Sequence, residues 1–226
     1  MKIILTMKIK LMVLLLSLCP LAAYAAEKPA FTHKAGEVAL GLGVKSSTPG
    51  LGTDWGEFNI ENHTTGVAHD AKPGTPSIGG DLQAVYFVNP WLALGASVGE
   101  EFFDHDIASG VEKDMDTFIK NGLFLARVYA NPQSRYKVYF PLAVGVARID
   151  SRADLSPAEH FKYTGFAAHA GVGVEHLLSE AWGVAFEARY NYNKFHRTLT
   201  TAHNEVYRVY PSINYISMSL RLDYRF

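Results

Sequence analysis

Gly183-Val184-Ala185-Phe186-Glu187-Ala188-Arg189-Tyr190-Asn191-Tyr192-Asn193 is the stretch that decides the fold class. Val184, Phe186, Ala188, Tyr190 and Tyr192 alternate strictly with Gly183, Ala185, Glu187, Arg189, Asn191 and Asn193. Successive side chains of a strand point to opposite faces, so a period of two separates an apolar face from one that is small, amide or charged. A helix would repeat every 3.6 residues, and this segment does not.

The same division runs to the carboxyl end. Ile216, Met218, Leu220, Leu222, Tyr224 and Phe226 share one phase, and Ser217, Ser219, Arg221, Asp223 and Arg225 the other. Just upstream, Ile213 and Tyr215 are apolar in the wrong phase, which predicts a β-bulge near Tyr215. Moving toward the amino end, Phe166, Ala168, Ala170, Val172 and Val174 oppose Gly165, Ala167, His169, Gly171, Gly173 and Glu175. Val138, Phe140, Leu142, Val144 and Val146 form a fifth strand, interrupted by Pro141, which fits only near a strand end or at a bulge. The phase over 120–129 is mixed and leaves Arg127 on neither face.

Leu92, Leu94, Ala96 and Val98 make a third strand, Leu82, Ala84, Tyr86 and Val88 a second, and Val38, Leu40, Leu42 and Val44 the first, with Glu37 and Lys45 in its opposite phase. These are eight strands. Between them, long segments (46–78, 101–118, 150–162, 195–207) alternate with short turns at Asn89-Pro90, Asn131-Pro132-Gln133-Ser134 and Leu178-Ser179-Glu180. The long segments, rich in Gly, Pro, Asn, Asp and His, are expected to be irregular.

Four long and three short connections are the signature of an all-β, up-and-down antiparallel transmembrane barrel, with four long extracellular loops and three short periplasmic turns. A soluble barrel would bury the Leu/Val/Phe face and would have to expose the other. The second face reads as Gly, Ala and Ser with a few charges, too small to fill a dry core, whereas the first suits lipid.

The first residues agree with export. Lys2, Lys8 and Lys10 precede the apolar run Leu11–Cys19, and Ala23-Tyr24-Ala25 supplies a processing site, so residues 1–25 read as a cleaved signal peptide and 26–226 as the barrel. Met1 and Met7 are equivalent starts for that mature chain. The apolar run is about half of the roughly 20 residues a spanning helix needs. Lipidation of Cys19 would ordinarily call for a small residue before it, and Leu18 stands there.

Cys19 is the single cysteine and falls in the segment to be removed, which excludes disulfide and thiol chemistry in the mature protein. With the three signal lysines gone, the formal charge of −1 becomes about −4, no basis for a nucleic-acid partner.

The terminal strand, ending in Tyr224-Arg225-Phe226, looks like that of bacterial outer-membrane barrels, whose last aromatic is read by the barrel-assembly machinery. More narrowly, the chain resembles the OmpW family at Val88-Asn89-Pro90-Trp91-Leu92-Ala93-Leu94, at Pro141-Leu142-Ala143-Val144-Gly145-Val146 and at Leu178-Ser179-Glu180-Ala181-Trp182-Gly183. It departs from the family in the charges of its inner phase. OmpA-like and OmpX-like small barrels, whose lumens tend to be closed by charges, remain open as relatives.

The resemblance implies an outer-membrane location in a Gram-negative envelope and a narrow conduit or binding barrel for small solutes, hydrophobic ones included. The alternative is a structural or surface-interaction barrel acting through its loops, especially 46–78 with Trp55, Phe58 and Ile60. An outer-membrane lipid A-modifying hydrolase is a third reading, but no His-x-Ser motif or Asp/His arrangement supports it, and no catalytic residue is expected. Outer-membrane lipid is the expected partner throughout.

Charged side chains facing inward are costly unless paired, so Glu37, Glu175, Glu187, Arg189, Arg221, Asp223 and Arg225 are expected to form a lumen network. Trp91, Trp182, Tyr224 and Phe226 are expected in the aromatic girdle at the membrane interface. Asp104-His105-Asp106, with His63, His69, His160, His196 and His203, is placed in or beside the long loops as a conceivable divalent-metal set, but scattered loop histidines are usually only solvated, and no metal or cofactor is assigned.

Overall fold

An alternating strand in lipid leaves no edge whose backbone groups water can satisfy, so its sheet has to close on itself. The computed structural model describes residues 31–47, 59–62, 67–73, 77–107, 114–153, 159–195, 197–200, 206–209 and 212–226. The expected signal peptide, Trp55, Phe58, His63, His196 and His203 lie outside them.

Twelve strands are present among these residues: β1 (Val38–Ser47), β2 (Asn59–Asn62), β3 (Val67–Pro73), β4 (Ile78–Asn89), β5 (Leu92–Ile107), β6 (Asp114–Tyr129), β7 (Tyr136–Ala153), β8 (Glu159–Leu177), β9 (Trp182–Phe195), β10 (Arg197–Thr200), β11 (Val206–Val209) and β12 (Ser212–Arg225). Eight of them form the barrel. Running round it, β4, β1, β12, β9, β8, β7, β6 and β5 are successive neighbours, and the β4–β5 ladder completes the ring. Every pairing is antiparallel, and the last strand lies against the first, with Ala39 opposite Arg225 and Ser47 opposite Ser217.

The remaining four strands correct the expectation of irregular loops. β2–β3 and β10–β11 are hairpins, β11 pairs with β2, and β3 adds to the end of β5 through Ala71 opposite Ile107. The first and last long connections therefore meet in one extracellular extension of the sheet. The barrel strands also outrun the membrane: β7 and β8 hold 18 and 19 residues, where about 9–11 suffice to cross. Asp104-His105-Asp106 consequently lies in β5, opposite 114–116 of β6.

Outward-facing Leu40, Leu42, Val44, Leu82, Val98, Phe124, Leu142, Val144, Val146, Phe166, Phe186 and Leu220 are exposed, the reverse of a soluble protein. Trp182 and Tyr224 pack edge to face at 4.8 Å, Tyr224 and Phe226 at 4.8 Å, and Trp91 stands exposed at the β4–β5 turn. All four sit at the end where residues 31–37, the carboxyl end and the short turns gather.

Two further expectations fail. The β9–β12 register is continuous from Ser212 to Tyr224, with no bulge at Tyr215; Ile213 and Tyr215 point inward and are buried. The register shift falls instead between Phe87 and Asn89, beside the first turn. Nor is the interior too small to fill: Arg127, Arg221, Tyr129, Tyr139, Tyr215, Phe87, Phe103, Lys137, Phe195, Ile119 and Ile149 are all fully buried inside it.

The glycines explain how both observations coexist. A Cβ on Gly41 would strike the Asp223 and Arg221 side chains, and one on Gly173 would strike the Tyr139 ring. Small wall positions are the space into which neighbouring strands' large residues lean. Pro141 behaves as expected: it lies near the periplasmic end of β7, buried, where the ladder to β8 is broken between Tyr139 and Leu142 without a change of register.

Candidate functional site

The lumen is closed at three successive heights. At the periplasmic mouth, residues 31–37 fold back into the barrel. Gly36, in the left-handed region at φ 89°, turns the chain into β1, and its N–H donates to the Phe87 carbonyl at 2.8 Å. This places His33 inside, stacked on Phe87 at 4.0 Å, with Nε2 3.0 Å from Glu175 and Nδ1 3.6 Å from Glu37. Tyr129 donates to Glu175 at 2.8 Å, Arg225 approaches Glu37 at 3.4 Å, and Lys137 donates to the carbonyls of Phe31 and Ser134.

Burial works against a charge on His33, but the Glu175 carboxylate and the bonds to Glu175 and Glu37 outweigh it and raise its pKa above the ordinary 6.5. Burial likewise pushes the Glu37 carboxyl up, and the His33 bond and the Arg225 charge bring it below its usual value.

The middle height is an arginine–carboxylate cluster. Arg221 contacts Glu187, donates to Asp223 through Nε at 2.7 Å and Nη2 at 3.0 Å, and reaches the Tyr139 hydroxyl at 3.0 Å. Arg189 binds Glu187 and donates to Asp81 at 2.6 Å. Arg127 donates to Gln83 at 2.6 Å and stands 3.7 Å from Asp223, and Tyr139 donates to Glu187 at 2.5 Å. Guanidinium forks facing carboxylates in this way are the strongest charge-assisted pairs available.

Higher still, Glu101 is fully buried and takes hydrogen bonds from Ser77 at 2.5 Å and Tyr215 at 2.9 Å, with Lys45 at 3.3 Å. Phe103 packs edge to face on Tyr215 at 5.2 Å, and Ile119, Ile149, Tyr163, Phe195 and Ile213 complete an apolar layer.

Of the residues expected in the lumen network, Glu187, Arg189, Arg221 and Asp223 come together in the middle cluster. Glu37, Glu175 and Arg225 belong to the mouth group instead, beyond the Tyr129 and Tyr139 rings, which lie 5.2 Å apart. Sequence reasoning missed His33, Lys45, Asp81, Gln83, Glu101, Arg127 and Lys137. Lys45, Asp81 and Gln83 already stood in the polar phase of their strands and could have been read from it. His169 faces the lumen and is buried; it does not pair with Glu175, whose partner is His33.

Among the described residues, Lys45, Arg127, Lys137, Arg189, Arg221 and Arg225 face Glu37, Asp81, Glu101, Glu175, Glu187 and Asp223, six cations against six anions. Of the histidines and aspartates expected near the loops, His63, His196 and His203 lie outside the described residues; among the described residues no group of three metal-ligating side chains occurs.

Comparison with known proteins agrees with this architecture. The outer membrane protein OprG of Pseudomonas aeruginosa superposes with a TM-score of 0.63 at 13% identity, covering 86% of this chain and 98% of that one. The attachment invasion locus protein Ail of Yersinia pestis, solved with the heparin analogue sucrose octasulfate, gives 0.50 at 15% identity, covering 85% and 99%. At these identities the likeness is one of fold. No curated protein matches the sequence significantly. The profile of the outer membrane protein beta-barrel domain family matches residues 11–226, nearly the whole chain. The chain belongs to the outer membrane protein beta-barrel domain family.

Proposed function

We propose that this outer-membrane barrel is sealed to ions and water and works from its extracellular side. The observation that carries the reading is the closure of the lumen at three heights by buried, mutually neutralising side chains, crowned by an apolar layer. An eight-stranded barrel is only just wide enough to be filled by side chains, and this one is filled. On that side the barrel presents the extracellular extension made of β2, β3, β10 and β11.

A conduit for small hydrophobic molecules is the second reading. Phe103, Ile119, Ile149, Phe195 and Ile213 favour it, since they give the upper lumen an apolar lining. That lining ends on the charged cluster below, which an apolar solute could not cross without displacing ion pairs. We assign no catalytic role.

Planar-bilayer recording of the refolded protein, with Glu187→Gln and Arg189→Gln alongside, separates the two. A folded barrel that stays silent agrees with a sealed lumen. Discrete openings whose size or frequency changes in either variant would replace that reading with a gated conduit.

A further inference from the structure

Among the described residues, the cations at the upper edge of the outer wall lie on one side only, with Glu100 on β5 and Asp116 on β6 as acidic neighbours. On β6, β7, β8 and β9, the outward apolar series ends in Lys120, Arg148, Lys162 and Lys194, all exposed. On β12, β1 and β4 the corresponding outward positions are Asn214, Ser46 and Ile78.

The height of this arc follows from β7. Its outward face runs Tyr136, Val138, Phe140, Leu142, Val144, Val146 and then Arg148. Twelve residues of strand span about 40 Å, or roughly 30 Å of height at the usual tilt. With Tyr136 at the periplasmic girdle, Arg148 stands where the hydrocarbon of the outer leaflet ends. Lys194 lies opposite Phe166, two residues below the Thr164 that faces Arg148, and the tilt of the strands brings it to nearly the height of Arg148, while Lys162, opposite Asp150, stands one outward position higher.

The pairing within the arc is unfavourable as it stands. Lys120 lies directly opposite Arg148 across the β6–β7 ladder, a spacing of about 5 Å at which like charges repel. Glu100 partly offsets Lys120 at 3.2 Å and Asp150 partly offsets Lys162 at 3.5 Å. Arg148 and Lys194 have no acidic partner among the described residues. A row of cations about three strand spacings, or roughly 15 Å, wide is left under-neutralised.

We propose that Lys120, Arg148, Lys162 and Lys194 form a docking site on the barrel wall for the phosphorylated sugar headgroup of an outer-leaflet glycolipid. Charge complementarity and depth select this occupant: the phosphates meet the cations at the edge of the hydrocarbon while the acyl chains lie along Val144, Val146, Phe166 and Tyr190 below. The site rests on the outer-membrane placement and is independent of whether the lumen conducts.

The test is native mass spectrometry of the refolded full chain released from detergent, titrated with bis-phosphorylated lipid A, with the same lipid stripped of phosphate, and with phosphatidylglycerol. The wild type is expected to retain bis-phosphorylated lipid A and to lose it on dephosphorylation. The double variant Arg148→Gln/Lys194→Gln is expected to bind roughly thirtyfold more weakly. Equal retention of dephosphorylated lipid A overturns the proposal, and equal retention of phosphatidylglycerol overturns the glycolipid assignment. Should the double variant not fold, judged by its heat-dependent gel shift, the comparison of the two lipid A forms on the wild type still decides. A conductance result reports only on the lumen, so the two readings fail separately.

Discussion

Arg221 is the residue on which the middle of the barrel depends. Its guanidinium is fully buried and divides its donors among Glu187, Asp223, Gln83 and Tyr139. Glu187 in turn serves both Arg221 and Arg189. Neutralising it as Glu187→Gln leaves two buried arginines sharing fewer anions, and breaking such a pair from one side costs about 3–5 kcal/mol. Urea unfolding in lipid vesicles should show that loss. A decrease below about 1 kcal/mol would mean that water reaches the cluster and screens it. A second residue-scale prediction concerns the wall: Gly173→Val forces a branched side chain into the Tyr139 ring and should destabilise by about 1–3 kcal/mol, read in the same assay. At this scale the sequence was partly legible. Strand phase put Glu187, Arg189, Arg221 and Asp223 on one face, and the structure brings them into contact. Arg127 escaped because Leu123 and Leu125, its inward neighbours two and four residues away, are apolar and buried, so the inward phase of β6 looks like a lipid face.

Among elements, the short segment 31–37 has the most to say about pH. It is held by His33 and Glu37, and the two set opposite limits. The folded pKa of His33 lies above 6.5, so its contribution is fully present below 6.5 and is lost as pH rises through the folded value. That of Glu37 lies below 4.5, so its contribution is present above 4.5 and is lost as pH falls through the folded value. The mouth is therefore held best between about 4.5 and 6.5, with a shoulder beyond each end. An NMR titration of the His33 ring should give a midpoint above 6.5. A midpoint at or below 6.5 would show that burial, not Glu175, dominates the site. The segment precedes the first alternating strand and has no periodicity of its own, which is why His33 could not be found from pattern. Its role is set by Glu175 and Phe87, residues 142 and 54 positions away in sequence. Ile213 and Tyr215 illustrate the complementary error. Their apolar character in the inward phase looked like a phase slip, because an inward phase was taken to be polar. Above the charge cluster apolar side chains surround Glu101, to which the Tyr215 hydroxyl donates, and an unbroken strand satisfies both regions.

For the whole molecule, the eight-strand ring and the extracellular extension are separable on physical grounds. Closure comes from the β1–β12 and β4–β5 ladders, whereas among the described residues the extension's ladder to the barrel holds three residue pairs, Ala71–Ile107 to Pro73–His105. The ring was legible because lipid outside and ordered pairing inside impose period two on every strand crossing the membrane. The extension was not, since above the membrane neither face is obliged to be apolar and alternation fades, leaving only Gly, Pro and polar residues to suggest loop. The geometry at its root makes the separation testable. Ser77 donates its backbone N–H to the Ser47 carbonyl at 3.0 Å, and the Ser47 and Ser77 hydroxyls meet at 2.5 Å, so β1 and β4 already come together where the extension leaves. Replacing residues 49–75 by a short Gly-Asn turn therefore closes a hairpin that the register permits. The shortened protein should keep its heat-dependent gel shift and unfold within about 0.5 kcal/mol of the parent, as changes remote from buried contacts do. It should also lose binding to any surface partner captured by the parent. If the shortened chain fails to fold, β2 and β3 are part of the barrel's own stability, and the division between a sealed membrane anchor and an outward-facing binding sheet does not hold.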